Sequence, residues 1–275
     1  MKPEITISFD LEDHRQDGSV RFYRQTTEFL KFLDDRDAKA TFFVTGDVAK
    51  RAPKLIREIF DAGHEVAYHS SNHRPLTEEN AARMLRESSL DLQYLHDLTG
   101  TAVVGYRAPS FSMTSSTLWA IECLKALGIR YSSSVLPAKN PVFGFPEAPS
   151  DPFQYSNGIV EFPCPTKRLP LLGPVPFLGG IYLRYIPRIF VLTWVASQKR
   201  PWTYLHPYDF DCAEPFIKYK GVSSVLSFAL WRNRSSTLAK LSLLLDTGSI
   251  GKTFKARLEA TDTSLLGILE SPKKR

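Results

Sequence analysis

Apolar residues follow two different spacings in the first half of the chain, and the two spacings predict strands and helices in turn. Residues 2–9 (KPEITISF) alternate with a period of two and are rich in residues that favour strands. Residues 40–44 (ATFFV) and 63–68 (GHEVAY) form similar short apolar runs, whereas residues 20–36 carry apolar positions at helical spacing. Strands that alternate with helices predict parallel strands joined by right-handed crossovers.

The same alternation continues to about residue 132. Further elements are predicted as helices at residues 53–62, 77–98 and 115–127 and as strands at residues 103–106 and 130–132. The first of these helices starts with Pro53 and is followed by Gly63, which are typical first and following residues of a helix. The order of elements predicts an α/β fold, as a barrel or as an open sheet.

The alternation is lost between residues 135 and 201, which are rich in proline and glycine. The clearest later strands are residues 158–163 and 202–206, and apolar runs at 222–229 and 238–245 predict helices.

No internal repeat or low-complexity linker separates a second domain. We therefore predict a single domain over residues 1–275. Its core motifs lie within residues 4–212, and a helical extension follows over about residues 213–275.

Composition and charge narrow the class of protein. With 275 residues, of which 43% are apolar, the chain can bury the core of one large domain. The net charge of +6 is a mild basic excess, typical of a solvated surface with a slight preference for anionic partners. No repeat of basic and aromatic residues indicates nucleic acid, so we expect no nucleic-acid partner. Three cysteines without C-x-x-C spacing support neither a disulfide framework nor a thiolate zinc site, and we expect them to be reduced, buried thiols.

Two segments bear on location. Residues 1–4 lead directly into the first strand, which leaves no room for a signal peptide, and we expect a cytoplasmic protein unless a leader has been removed. The longest uncharged run, residues 169–183, is too short and too often broken by proline and glycine to span a membrane. We expect it to line a groove or pack in the core, and peripheral membrane contact stays open. The sequence does not indicate the oligomeric state.

Two polar clusters carry the candidate chemistry. His69 and His73 stand four residues apart, and on a helical turn their rings would share one face and one metal ion. The acidic run at residues 10–13 ends the first strand, and His69 ends another, which is where α/β folds place their sites. Either cluster alone also fits solvated side chains. Together they favour a metal-dependent hydrolase.

Six motifs stand in order along the chain: SFDLED at residues 8–13, ATFFVTG at 40–46, GHEVA at 63–67, HSSNH at 69–73, GYRAPSFS at 105–112 and LHP at 205–207. With these motifs the chain resembles the polysaccharide deacetylase (NodB-homology) family of the carbohydrate esterases. Within it, the chain is similar to the subgroup found with bacterial exopolysaccharide gene clusters. The resemblance implies a deformed (β/α) barrel that removes N-acetyl groups from amino sugars of a bacterial polysaccharide or of its lipid-linked precursor, using a divalent metal.

The resemblance also implies roles for three residues. Asp10 matches the catalytic base, and Arg107, always charged, is expected to hold this carboxylate ionised and directed at the attacking water. His206 matches the acid that protonates the departing amine. An ordinary ion pair for Arg107 and a core histidine for His206 are the alternatives.

The metal carboxylate departs from the common pattern. Many relatives have the ligand directly after the base, but that position is Leu11 here. Glu12 shares a strand face with Asp10, whereas Asp13 reaches the site only if the strand breaks into a turn. We favour His69, His73 and Glu12 as ligands, with Asp13 as the alternative. Zinc is the favoured ion, and cobalt, nickel or manganese would suit the same donors.

Other functions and one departure stay open. The same residues would serve an amidase or a deformylase acting on a different amide, and a catalytically silent carbohydrate-binding homologue would keep the groove. Relatives tend to have an acidic residue where Ser132 stands, and Asp151 or Asp209 could replace it in space. The sequence does not decide what this replacement does.

Overall fold

The computed structural model describes residues 2–15, 20–171, 173–218 and 223–270. The strands are β1 (Glu4–Leu11), β2 (Ala40–Val44), β3 (Glu65–Tyr68), β4 (Gly105–Tyr106), β5 (Tyr131–Ser132), β6 (Phe153–Tyr155), β7 (Val160–Glu161), β8 (Thr166–Leu169), β9 (Gly173–Pro176), β10 (Trp202–Leu205), β11 (Ser249–Ile250) and β12 (Gly267–Leu269). The helices are α1 (Arg21–Asp34), α2 (Gly46–Arg51), α3 (Pro53–Asp61), α4 (Ala81–Thr99), α5 (Trp119–Ala126), α6 (Gly180–Tyr185), α7 (Arg188–Ala196), α8 (Ser224–Trp231), α9 (Ser236–Thr247) and α10 (Phe254–Glu259).

One large sheet organises the chain. Its strands follow the order β10, β1, β2, β3, β4, β5, β7, β6 and β12, and all these pairs are parallel except that of β6 with β7. The predicted α/β fold is therefore confirmed. Within the described residues, no strand pairing joins β10 to β12, so the sheet is not closed by hydrogen bonds. The strand β10 lies beside β1, so the two halves of the chain share the sheet.

The strand register brings four functional side chains to one edge. Asp10 lies near the carboxyl end of β1, and His69, Arg107 and His206 directly follow β3, β4 and β10. The strands β10, β1, β2, β3 and β4 lie side by side in this order and are parallel, so their carboxyl ends share one edge of the sheet. An aromatic core beneath β1 stabilises the arrangement, with the Phe9 and Phe29 ring centres 4.8 Å apart.

The predicted and observed elements differ mainly in the second half. The predicted helices at 222–229 and 238–245 correspond to α8 and α9, although residue 222 lies outside the described residues. The hairpin of β8 and β9 was not predicted, because its prolines and glycines hide the strand pattern. Within residues 169–183, Phe177 and Leu183 are fully buried, which confirms core packing for part of that run.

Two smaller expectations can be compared with the structure. Cys123 and Cys164 are buried as expected, but Cys212 is exposed, and the prediction of a buried thiol is wrong there. No helix within the described ranges combines the length and apolar character needed to cross a bilayer. The division into a core and a helical extension stays a prediction.

His64 connects α3 to the sheet and makes stability depend on pH. Its Nδ1 accepts a hydrogen bond from the backbone N–H of Ala40 at 3.2 Å. Burial, with the charge of Lys39 adding to it, lowers the pKa of His64 to about 4. The unfolded chain therefore binds a proton at His64 between about pH 6.5 and pH 4 that the folded chain does not. The contribution of this neutral ring is present above that interval and is lost as pH falls through it.

We predict that His64→Asn flattens this dependence, because the amide oxygen can accept the same hydrogen bond without titrating. Urea unfolding at about pH 7 and about pH 4.5 should show a smaller loss of stability in the variant, by up to roughly 3 kcal/mol. Comparison with the wild type removes contributions that both proteins share, such as that of His69. Equal losses in the two proteins would contradict the assignment.

Candidate metal centre and active site

The Arg107 guanidinium fixes the carboxylate of Asp10. Its Nη1 donates to Asp10 Oδ1 at 2.5 Å and to Ser8 Oγ at 2.8 Å. On the other side, Nε and Nη2 donate to the carbonyl and hydroxyl oxygens of Ser133, and the guanidinium lies 3.9 Å from the centre of the Phe43 ring. Both charged groups are buried. The structure thus pairs the two residues as the sequence predicts and leaves Oδ2 of Asp10 outside the pair with Arg107.

The two histidines meet through a strained turn rather than a helix. His69 leaves β3, and the segment to His73 is a turn in which Ser70 (φ 66°) and His73 (φ 57°) adopt the left-handed conformation. The expectation of a helical turn was therefore wrong, although the rings do converge, with their centres 5.0 Å apart. His69 Nδ1 donates to the Arg107 carbonyl oxygen at 2.8 Å, which directs Nε2 away from that contact.

A buried carboxylate that the sequence analysis missed holds this turn. Asp91 on α4 accepts hydrogen bonds from the hydroxyls of Tyr68 (3.0 Å) and Ser71 (2.6 Å) and from Lys50 (2.6 Å). Tyr68 directly precedes His69, and Ser71 lies inside the turn. Asp91 therefore stabilises a backbone that would otherwise be strained. In the sequence, the available signal was an aspartate between two leucines of a predicted helix.

Glu12, His69 and His73 form a cluster that suits a metal ion. One ligand atom of each lies within 4.8 Å of the others, and Glu12 Oε2 is 2.6 Å from His73 Nε2. Burial alone would raise the pKa of Glu12, but His73, His206 and His69 outweigh it and lower the pKa to about 2. Burial lowers the pKa of His69 to about 4. An ionised carboxylate and a neutral imidazole are the forms that bind a divalent cation, so the donors fit one.

Asp13 is paired with Arg51 rather than with the two histidines. Its Oδ2 accepts from Arg51 Nη1 at 2.7 Å, and its Oδ1 accepts from the backbone of Arg15. Glu12, by contrast, continues the alternation of β1, so that its side chain emerges on the same side as Asp10. The geometry therefore favours Glu12 over Asp13 as the carboxylate ligand.

His206 completes the site from the end of β10. Its Nε2 lies 3.7 Å from Asp10 Oδ2, and its Nδ1 donates to Asp209 Oδ2 at 2.8 Å. Burial would lower the pKa of His206, but the carboxylates of Asp209, Asp10 and Glu12 outweigh it and raise the pKa to about 9. These carboxylates therefore favour the protonated form of the ring. The pairing of Asp209 with His206 was not predicted from the sequence, although a carboxylate three residues after a histidine could have suggested it.

Neither expected substitute lies beside Ser132. Asp151 is exposed, and Asp209 bonds His206. Instead, Ser132 pairs in register with Glu161 on β7, whose buried carboxylate is bonded by the Ser132 hydroxyl and accepts from the backbone N–H groups of Ser134 and Val135. Glu161 thus holds the loop that carries the Arg107 partner Ser133, a contact that the sequence did not reveal.

A groove gives access to the cluster. A cavity of about 590 Å³ opens beside His73 and is lined by Asp47, Arg51, Asn72, Arg74, Pro75 and Glu78. Its lining is mainly polar and charged. Such a surface offers hydrogen bonds to the hydroxyl and amide groups of a sugar chain.

Comparison with known proteins adds to this geometry. Among curated proteins, a peptidoglycan-N-acetylglucosamine deacetylase of Bacillus cereus is 28% identical over 122 residues, which are 44% of this chain and 42% of the relative. A chitooligosaccharide deacetylase of Sinorhizobium fredii is 39% identical over 75 residues, or 27% of this chain and 31% of the relative. The chain thus spans less than half the length of these relatives.

A similar solved structure covers the whole chain. It is a Mycobacterium smegmatis protein provisionally named a polysaccharide deacetylase, with a TM-score of 0.64, 19% identity, and coverage of 100% of this chain and 94% of that one. Residues 133–255 match a family model described as a domain of unknown function. Residues 2–132 match the polysaccharide deacetylase model, and this half of the chain contains Asp10, Glu12 and both histidines of the cluster. Residues 2–132, just under half of the chain, are therefore similar to the polysaccharide deacetylase family.

Proposed function

We propose that this chain is a metal-dependent hydrolase that removes acetyl groups from N-acetylated amino sugars of a polysaccharide or of a lipid-linked glycan precursor. One observation carries the proposal: Asp10 lies between Arg107 and His206, and Glu12, directly after the same strand, joins the two histidines. The names of the relatives, which are deacetylases of peptidoglycan and chitooligosaccharide, support the substrate class.

Glu12, His69 and His73 would hold the ion. A divalent metal bound by two imidazoles and one carboxylate supplies Lewis acidity and lowers the pKa of a bound water to about 7. We propose zinc as the ion, since nitrogen and carboxylate donors of this kind suit it, while cobalt, nickel or manganese fit the same donors.

Asp10 is the base in this proposal. Arg107 occupies Oδ1, so Oδ2 is the oxygen that accepts the proton of the attacking water. Because Arg107 is held in turn by Ser8 and Ser133, the carboxylate keeps one orientation without rearranging during the reaction.

His206 is the acid. Asp209 holds Nδ1 of the ring, and Nε2 carries the other proton towards the site. As the carbon–nitrogen bond breaks, the nitrogen of the sugar takes this proton and leaves as an amine. An amidase or a deformylase would use the same groups, so activity on N-formyl and on unrelated amides belongs in every assay below.

The first prediction at this site concerns the carboxylate ligand. We expect Glu12→Gln to weaken zinc binding by more than the roughly 10–100-fold typical of losing a supporting group, because it removes a direct ligand. Asp13→Asn is the matched control and should bind zinc as the wild type does, which titration calorimetry can measure. If only Asp13→Asn weakened binding, Asp13 would be the ligand.

The second concerns the base. Asp10→Asn should keep the fold and the metal while lowering turnover of an N-acetylated oligosaccharide by roughly two to four orders of magnitude. Acetate release, measured beside the metal content of the same sample, separates the two effects. Turnover near that of the wild type would refute the role of Asp10, and absence of turnover in the metal-loaded wild type on every amide tested would favour the silent carbohydrate-binding alternative.

The third concerns the acid. His206→Asn should slow deacetylation strongly when the departing group is a basic sugar amine. The defect should shrink on an activated anilide, whose departing amine needs less protonation. A defect of equal size on both substrates would contradict the role of His206 in leaving-group protonation.

A further inference from the structure

The helix α8 (Ser224–Trp231) exposes apolar side chains and buries a polar one. Its eight residues include six apolar ones, yet Ser227 is the buried member, while Val225, Leu226 and Phe228 are exposed. A surface helix of a globular protein normally buries its apolar face and exposes its polar one. The reversed pattern indicates that this face meets an apolar environment other than the core.

The exposed side chains of α8 are part of a larger surface. We call Tyr185, Phe216, Val225, Leu226 and Phe228 the apolar patch. The Phe216 and Phe228 ring centres are 6.2 Å apart, and the Tyr185 hydroxyl donates to the Ala229 carbonyl oxygen at 3.1 Å, which ties α6 to α8. In the part of the chain that the structure describes, seven of the fourteen exposed large apolar side chains lie between residues 185 and 228, namely the five of the patch together with Ile189 and Phe190. Such a concentration marks an interaction surface.

The surroundings of the patch are positively charged. Between residues 152 and 245 the chain has four acidic residues, and all of them are buried, at 2% exposure or less: Glu161, Asp209, Asp211 and Glu214. Arg188, Lys218 and Arg232 are exposed in the same region. Arg232 directly follows α8, four residues after Phe228. Its guanidinium carbon lies 5.8 Å from the centre of the Phe228 ring. Within residues 152–245, the exposed charges are therefore all positive, and Arg232 lies directly beside the apolar side chains.

A short chain of contacts connects the patch to the active site. Trp231 of α8 donates from Nε1 to the Glu214 carbonyl oxygen at 2.8 Å, and the Glu214 carboxylate is 2.8 Å from His14 Nε2. The His14 and Tyr208 rings are 4.7 Å apart, and Tyr208 stacks on His206 at 4.7 Å. A surface that binds the patch would thus lie near the side of the site that contains His206.

We propose that the apolar patch docks the protein onto an anionic lipid bilayer surface. Aromatic and aliphatic side chains bordered by arginine and lysine are the combination that binds at a membrane interface. A sugar polymer would stack on the rings but would gain little from Val225 and Leu226. Pairing with a second copy would place basic side chains against one another. The proposal goes beyond the proposed hydrolase and does not depend on it.

Co-sedimentation with vesicles tests the proposal. The wild type should bind phosphatidylglycerol-rich vesicles at least about tenfold better than phosphatidylcholine vesicles, and added salt should weaken binding. Val225→Glu should reduce binding to the anionic vesicles by about tenfold or more, because it places a carboxylate in the patch. Leu90→Glu is the matched control: Leu90 is 66% exposed on α4 and Val225 is 82% exposed on α8, so both variants should fold. Thermal unfolding checks this for each.

Three results would overturn the proposal. The first is equal binding to both kinds of vesicle, and the second is an equal loss of vesicle binding in Val225→Glu and Leu90→Glu. The third is a wild type that does not bind vesicles and sediments as a dimer, which Val225→Glu dissociates. The last would identify a second copy as the occupant. Since none of these measurements involves turnover, failure of the docking proposal is distinct from failure of the proposed activity.

Discussion

The buried ion pair of Arg107 with Asp10 is the interaction on which the candidate site depends. Arg107 connects three strands, because its side chain contacts Ser8 and Asp10 on β1 and Ser133 after β5, while its own backbone follows β4. The carbonyl oxygen of the same residue accepts from His69 Nδ1. One residue therefore orients both the proposed base and a metal ligand. Removing its charge would break a buried ion pair, which costs several kcal/mol in typical proteins.

Strand alternation explains how one short segment supports two different tasks. Asp10 and Glu12 emerge on the same face of the chain, two residues apart, but meet different partners. Arg107 and His206 lie against Asp10, whereas His73 lies against Glu12. Separate partners allow one carboxylate to bind a cation while the other stays available for a proton. The same division explains why Leu11, which faces the core, can stand between them without disturbing the site.

The local pattern of apolar residues predicted the strands that carry the site. It did not predict the features that depend on contacts between distant parts of the chain. The alternating run at residues 2–9 and the short apolar runs at 40–44 and 63–68 located β1, β2 and β3, and therefore the strand ends that carry Asp10 and His69. The left-handed backbone at His73 was not predictable, since it depends on Asp91, eighteen residues further along the chain. The reversed face of α8 was also missed, because an apolar run indicates a helix but does not show which side the core will cover.

Crystallography of the zinc-soaked protein, with anomalous data collected on both sides of the zinc absorption edge, tests the central claim most directly. The account predicts one strong anomalous peak within coordination distance of Glu12, His69 and His73, with Asp10 outside the ligand set and still paired with Arg107. A peak coordinated by Asp10 or Asp13 in place of Glu12, or no peak between the two histidines, would contradict it.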